Sequence, residues 1–173
     1  MASRELEKFI DSWDREAQGT LKLLRALPAQ QYDFRPDAGG RSIGELAWHL
    51  AELDGYITWG IERGGLEQPG KPPGLERPRT VAELASGYER VHNEALARLR
   101  KLKPEDLDRK IKFFDGRDMR IGDMLWGALL HHTLHHRGQL ALMSRLAGGT
   151  APGLYGPNRE ETAARRAAAK TGA

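Results

Sequence analysis

Apolar residues recur at spacings of three and four along four long stretches of this chain. The first stretch runs from about Ser3 to Leu27, and Pro28 ends it. Its apolar positions form one stripe: Leu6, Phe9, Ile10, Trp13, Ala17, Leu21, Leu24 and Leu27. Such spacing is typical of an amphipathic helix that buries one face. Four helices of this length, in a chain with no pattern for a larger sheet, predict an all-α four-helix bundle.

The second and third helices each begin with the sequence pattern of a capping box. Ser42 stands three residues before Glu45, and Thr80 stands three residues before Glu83. In a capping box the hydroxyl accepts a backbone N–H bond while the acid three residues later binds back to the cap. The residues expected to end these two helices are Gly64, Gly65 and Pro104.

The fourth helix is predicted from about Ile121 to Leu146, where Gly148-Gly149 follows. It is apolar on most sides, so we expect it to pack on more than one face, including against a partner subunit. Just before it, residues 111–116 contain Asp115-Gly116, a pair typical of a β-hairpin turn.

A Pro/Gly-rich connection from Gly64 to Arg79 separates the second and third helices. Its roughly 16 residues reach about 50 Å when extended, which exceeds the ~30–37 Å length of the helices. The connection is therefore long enough to cross the bundle and leave the second and third helices parallel.

Composition excludes several classes of protein. The chain has 173 residues and no cysteine, so disulfides, cysteine-based zinc sites and a cysteine nucleophile are excluded. No apolar run approaches the ~18–20 residues of a membrane span, and the first residues lack an apolar signal core. We expect a soluble, cytoplasmic protein whose metal ligands, if present, are His, Asp or Glu.

The formal net charge of +3 is concentrated in the last residues. The segment 158–173 carries four basic and two acidic side chains, which leaves the remaining chain at only +1. We expect one bundle domain over residues 1–157 and a flexible, solvated tail over 158–173. The near-neutral body argues against a nucleic-acid-binding role.

Four of the six histidines lie within residues 131–136. His132 and His136 are four apart and continue the apolar stripe of the fourth helix, so they share a face that we expect to point inward. His49 holds an inward position on the second helix. Buried imidazoles need partners, and a metal ion bound by all three would satisfy them. Three protein ligands leave open coordination positions, which is typical of catalytic metals.

Other interpretations of the histidines stay open. An inward histidine is usually a hydrogen-bonded core residue, and His92 is expected to be one. A second pair, His131 and His135, ranks below the first. Neither the zincin HExxH pattern nor the paired Glu-x-x-His of di-iron bundles is present. Glu45 and Glu52 flank His49 in sequence and are each either a support for that ring or a solvated helix charge.

Three passages resemble the DinB/YfiT-like family of small bacterial metalloproteins. They are Arg35-Pro36 followed by SIGELAWHL at 42–50, HTLHHRGQL at 132–140, and PGLYGP at 152–157. The resemblance covers about residues 3–157. It implies a bundle with up-down-down-up helix order, often dimeric, and a metal triad that maps onto His49, His132 and His136.

The resemblance also implies a divalent ion, with Zn or Ni ahead of Fe or Mn. Some relatives are transferases that use low-molecular-weight thiols such as glutathione, mycothiol or bacillithiol. We therefore expect a metal-dependent enzyme of the thiol S-transferase or hydrolase type that acts on a small molecule. A non-catalytic metal-binding or stress-response module is the alternative, and a DNA-binding protein is a weaker one. Arg137 is expected to pair with a carboxylate of a neighbouring helix or subunit, and Gly138 to allow close helix packing.

Overall fold

The computed structural model describes residues 2–67 and 70–171. Three long helices are α1 (Ala2–Arg25), α2 (Ile43–Arg63) and α3 (Val81–Leu99). The fourth bundle helix spans 121–146 and has three parts: α4 (Ile121–Asp123), a π-helical segment π1 (Met124–His131) and α5 (His132–Leu146). The smaller elements are a 3₁₀ turn (Pro104–Asp108), β1 (Lys110–Lys112), β2 (Asp118–Arg120) and α6 (Arg159–Thr171).

Contacts between α2 and α3 show that these helices run in the same direction. Asp54 of α2 binds His92 of α3, and about two α2 turns later Glu62 pairs with Arg98. The fourth bundle helix runs against α2, because His49 contacts His132 and His136 while Leu53 lies level with Ala128. The predicted all-α bundle with up-down-down-up order is therefore confirmed.

The helix start signals are confirmed at α2 and corrected at α3. Ser42 caps α2 through the predicted capping box with Glu45, and Gly64 ends that helix with a φ of 85°. At α3, Thr80 occupies the cap position without a side-chain cap bond, because its hydroxyl donates instead to the Glu83 carboxylate. The second capping box was therefore wrong, although the helix starts where it was expected.

The expected hairpin is present and extends beyond residues 111–116. Strands β1 and β2 pair antiparallel, with Ile111 opposite Met119. Gly116 has a φ of 80°, a left-handed conformation that glycine adopts at little cost. The Leu66 N–H donates to the Lys112 carbonyl, so the crossover chain after α2 also holds the hairpin.

The hydrophobic core consists of two clusters with buried polar side chains between them. One cluster includes Leu24, Leu50 and Leu140, and the other includes Phe9 and Leu125. On each of α2, α3 and the fourth bundle helix, buried polar residues lie at or next to the boundary between the positions that feed the two clusters. These residues form the polar layer: Asp54, His92, Thr133 and Arg137.

The segment expected to be a flexible tail is helical over Arg159–Thr171. Its start is fixed to the bundle, because Glu160 pairs with Arg145 at 2.9 Å and the Asn158 side chain donates to the Ala151 carbonyl. The division at residue 157 stays a prediction. Across residues 2–67 and 70–171, no helix has the length and apolar character needed to cross a membrane.

Candidate metal centre

The structure brings together the three histidines that sequence spacing singled out. His49 on α2 faces His132 and His136 on α5, and the ring centroids lie 5.8 Å and 4.8 Å from that of His49. The Nε2 atoms of His132 and His136 are 2.7 Å apart. One ring nitrogen from each of the three residues lies within 4.8 Å of the others.

Two of these rings, those of His49 and His136, have an oxygen partner outside the cluster. His49 Nδ1 lies 3.2 Å from a Glu52 carboxylate oxygen, and His136 Nδ1 lies 2.7 Å from the Gln139 amide oxygen. Carboxylate and amide oxygens only accept, so both Nδ1 atoms carry the proton and each Nε2 is left as an acceptor or ligand atom. For His132, the hydrogen-bond partner of its ring is His136.

The environment keeps the two α5 imidazoles neutral. Desolvation is the main cause that lowers the pKa of His136 to about 4. The neighbouring histidines lower this pKa further, whereas the hydrogen bond to Gln139 raises it. Desolvation also lowers the pKa of His132, and the nearby charges of His49, His135 and Arg41 act in the same direction. Neutral imidazole is the form that binds metals, so the site favours the ligating state at neutral pH.

The cluster is more exposed than the sequence predicted. Thr133 and Arg137 take the buried positions of α5, whereas His132 is exposed and His136 half-buried. The π1 segment explains the offset. Its hydrogen bonds join residues five apart, so the stripe extrapolated from Leu125 at α-helical spacing loses register before His132. The histidines therefore face a surface groove beside α2 and not the bundle axis.

The remaining histidines lie outside the cluster. His131, at the end of π1, and His135, on α5, are exposed. His92 is a fully buried core residue that bonds to Asp54 at 2.8 Å. Of the two acids near His49, Glu52 supports that ring. The Glu45 carboxylate instead takes part in the capping box of α2 and pairs with Arg35.

Arg137 pairs with a carboxylate of a neighbouring helix, as predicted. Its guanidinium is buried and lies 2.5 Å from Glu16 Oε2 on α1, and it also contacts the Tyr155 hydroxyl. Tyr155 donates to the same Glu16 carboxylate at 2.7 Å. These contacts fix α5, next to His136, against α1. The role expected for Gly138 was wrong, because a Cβ there meets nothing within 4 Å.

Two cavities meet at the cluster, and Arg41 lines both. The first, here called the aromatic cavity, has a volume of about 400 Å³ and is lined by Arg41, His49, Glu52, Leu53, Tyr56, Ile57, Phe113, Phe114, Ala128 and His132. The second, here called the leucine cavity, has a volume of about 410 Å³ and is lined by Pro36, Asp37, Gly40, Arg41, Leu46, His136, Gln139, Leu142, Met143 and Leu146. Volumes of this size accommodate small organic molecules.

Comparison with known proteins places this chain in a family. The profile of the DinB superfamily matches residues 12–140, a range that contains all three clustered histidines. The chain belongs to the DinB superfamily. It is 31% identical over 159 residues to the uncharacterized protein YrdA of Bacillus subtilis (strain 168), covering 91% of this chain and 92% of YrdA.

Solved structures of DinB-like proteins have the same architecture. A DinB-like protein from Bacillus cereus ATCC 10987 superposes with a TM-score of 0.73 at 31% identity, covering 86% of this chain and 97% of that one. The DinB-like protein YjoA of Bacillus subtilis superposes with a TM-score of 0.67 at 21% identity, covering 88% and 99%. The likeness to YjoA shows the fold alone.

In this DinB-superfamily chain the histidine cluster is compatible with a metal ion. The 2.7 Å separation of the His132 and His136 Nε2 atoms requires a proton or a cation between them. Zinc-type ions hold nitrogen ligands at about 2.0–2.1 Å, so two ligands of one ion lie at most ~4 Å apart. Small shifts of the rings, which bring the more distant nitrogens closer together and move those of His132 and His136 slightly apart, would give that arrangement.

Sequence reasoning did not assign roles to three groups at this site. Gln139 was detectable, because it lies three residues after His136 and shares its helix face. Arg41 and the Phe113-Phe114 pair come from a loop and a hairpin. Their proximity to the histidines depends on how those segments pack, which no local pattern encodes.

Proposed function

We propose that this protein binds a divalent metal ion through His49, His132 and His136 and is a metal-dependent enzyme acting on a small molecule. The observation that carries the proposal is the convergence of three imidazoles from two helices, with oxygen acceptors holding the Nδ1 protons of His49 and His136. That arrangement is typical of metal-binding histidines, whose outer hydrogen bonds fix the tautomer and the ring orientation.

The surroundings of the cluster fit an open catalytic metal site better than a metal site that only stabilises the fold. Structural zinc sites are closed by four protein ligands. In this chain, three histidines lie at a partly exposed surface where two cavities meet. Two cavities beside one centre suit a reaction between two organic molecules, as in transfer of a thiol to an electrophile, so we favour the S-transferase over the hydrolase.

In such a transfer the thiol sulfur forms a bond to an electrophilic carbon. The bond from that carbon to its leaving group breaks, and the leaving group departs with the electron pair while the thiol proton is released. A bound divalent ion supplies Lewis acidity at this centre. The residues of the chain orient that chemistry: Glu52 and Gln139 hold the rings, and the apolar walls of the aromatic cavity bind the apolar part of a reactant.

Metal analysis by mass spectrometry tests the metal assignment. Protein stripped with a chelator, reloaded with Zn²⁺ or Ni²⁺ and desalted is expected to retain about one ion per chain. His49→Ala and His136→Ala should lose that ion, whereas His131→Ala, on the same helix but outside the cluster, should retain it. An ion content that is unchanged in both cluster variants, or absent from the wild type, contradicts the proposal.

Thermal stability and a turnover screen distinguish a catalytic metal site from a metal site that only stabilises the fold. If the site is open and catalytic, His49→Ala should lose the metal with only a modest fall in melting temperature. If the metal only stabilises the fold, the same variant should show a large fall in melting temperature. The metal-loaded protein is then assayed with glutathione, mycothiol and bacillithiol against an aryl halide. If every thiol remains unreacted, the transferase assignment is withdrawn and the non-catalytic metal-binding module takes its place.

The proposal includes a homodimer. Leu142 and Leu146 are 61% and 57% exposed on the outer face of α5, close to the open surface at Gly138. A second copy packed on this face would bury both leucines and close the outer side of the leucine cavity. Light scattering after size exclusion should show a dimer for the wild type and a monomer for Leu142→Glu. A wild-type monomer at high concentration contradicts this part of the proposal.

A further inference from the structure

Arg41 is a cation without a partner at the junction of the two cavities. It stands just before the cap of α2 and forms no hydrogen bond or ion pair with any residue in the described parts of the chain. Nearby arginines are engaged, because Arg35 and Arg77 both pair with Glu45, at 2.6 Å and 3.4 Å. The guanidinium of Arg41 is therefore available to a ligand that enters from either cavity.

The anions near Arg41 are committed to other groups. Glu52 accepts the bond from His49, and Asp37 accepts a bond from the Gly39 backbone at 3.2 Å. Neither carboxylate lies within ion-pair distance of Arg41. A planar guanidinium with five donors binds a carboxylate in a paired, bidentate geometry, which makes an organic carboxylate its best-matched partner.

The aromatic cavity is shaped for an apolar group. The hairpin turn places Phe113 and Phe114 over one side, with their rings 5.0 Å apart, while Leu53 and Ile57 of α2 form another wall. Phe114 is 54% exposed, although a large apolar side chain gains free energy when covered. A ligand seated in this cavity would bury that ring.

We propose that the substrate is a small carboxylate with an apolar or aromatic body, which occupies the aromatic cavity while Arg41 binds its carboxylate beside His132. This assignment rests on the proposed function in taking the histidine cluster as the reactive centre. Arg41 is then the residue that selects for charge, and the Phe113-Phe114 pair selects for the apolar body.

Binding of 3-phenylpropionate and its uncharged amide to the metal-free protein tests the proposal. Titration followed by NMR is expected to show that the carboxylate binds wild type at least tenfold more tightly than the amide does. Arg41→Gln should weaken carboxylate binding at least tenfold and leave amide binding unchanged. Arg41→Lys should recover part of the loss. Phe114→Ser should weaken the binding of both probes.

Arg159→Gln is the matched control, because it removes the same charge from an exposed site on α6 that lines neither cavity. It should bind both probes like the wild type. Equal affinity of the wild type for the carboxylate and the amide, or equal losses in Arg41→Gln and Arg159→Gln, overturns the proposal.

Metal content measured on the same preparations separates this inference from the proposed function. If Arg41→Gln retains its ion and loses only the carboxylate preference, both are supported. If Arg41 controls carboxylate binding in a wild type that retains no ion, the metal assignment fails while the carboxylate site stands. If the ion is retained and Arg41→Gln changes nothing, the carboxylate site alone fails.

Discussion

The buried pair of Asp54 and His92 should control the stability of the bundle and its response to pH. Asp54 Oδ2 lies 2.8 Å from His92 Nδ1, in the polar layer where Asp54 is fully buried. Burial by itself lowers the pKa of His92, but the hydrogen bond and charge of Asp54, followed by those of Asp14, outweigh it and raise that pKa. Burial raises the pKa of Asp54, which His92 opposes.

The sign of the pH dependence follows from the raised pKa of His92. Above pH ~6.5 the unfolded chain has lost this proton while the native state still holds it, so stability falls as pH rises toward the native pKa. The full contribution is present below the unfolded value, and the loss reaches at most about 1.4 kcal/mol per pH unit. The raised pKa of Asp54 acts in the same direction above its unfolded value of about 4.

Asp54→Asn is expected to destabilise the protein and reverse this contribution. Removing one partner of a buried ion pair costs about 3–5 kcal/mol. Without the carboxylate, burial lowers the pKa of His92, so the native state of the variant gains stability as pH rises to about 6.5. The difference in unfolding free energy between wild type and variant should therefore be largest at the acidic end of the range, near pH 5.5, and smaller by about 1–2 kcal/mol at pH 8.5.

Urea unfolding followed by tryptophan fluorescence provides the assay, since the Trp13 ring lies 4.3 Å from that of His92. Measurements from pH 5.5 to 8.5 are made on metal-free protein, because a bound ion would stabilise the native state by mass action. Groups away from the pair are the same in both proteins, so their contributions cancel in the difference. Asp14→Asn is the control: its carboxylate is partly exposed and 3.4 Å from His92, so it should cost under about 1 kcal/mol. A difference that is flat or grows with pH refutes the reasoning.

Three further predictions test other parts of the structure. Glu52→Gln should weaken metal binding about 10–100-fold in competition titrations with a chromogenic chelator, because the carboxylate orients a ligand ring; an unchanged affinity contradicts that role. Gly44→Ala should lose about 1–3 kcal/mol in urea unfolding, since its Cβ would lie 2.2 Å from the Tyr32 ring, whereas Gly138→Ala, with open space around it, should gain up to about 1 kcal/mol; equal effects of the two contradict the packing argument. Arg137→Met should cost about 3–5 kcal/mol by leaving the α1 carboxylate without its buried partner, and a melting temperature equal to wild type would show that this ion pair is dispensable.

Much of the candidate site was accessible from sequence because its elements are local. The i,i+4 spacing of His132 and His136 places both rings on one face of any helix, and the position of His49 in the stripe of α2 aims it toward a neighbouring helix. The degree of burial was not accessible, because the π1 segment changes the helical register before His132. The support from Gln139 required only spacing and was overlooked.

By itself, the sequence determined the four helices, the cap of α2, the hairpin turn and the identity of three clustered histidines. These features depend on residues a few positions apart, so spacing and backbone preferences are enough to specify them. Only the tertiary structure decided that the cluster opens on a groove, that Arg137 and not His136 enters the core, and that Arg41 and the hairpin phenylalanines frame the cavities. Those outcomes depend on how distant segments pack and on a shift in backbone hydrogen bonding that apolar periodicity does not reveal.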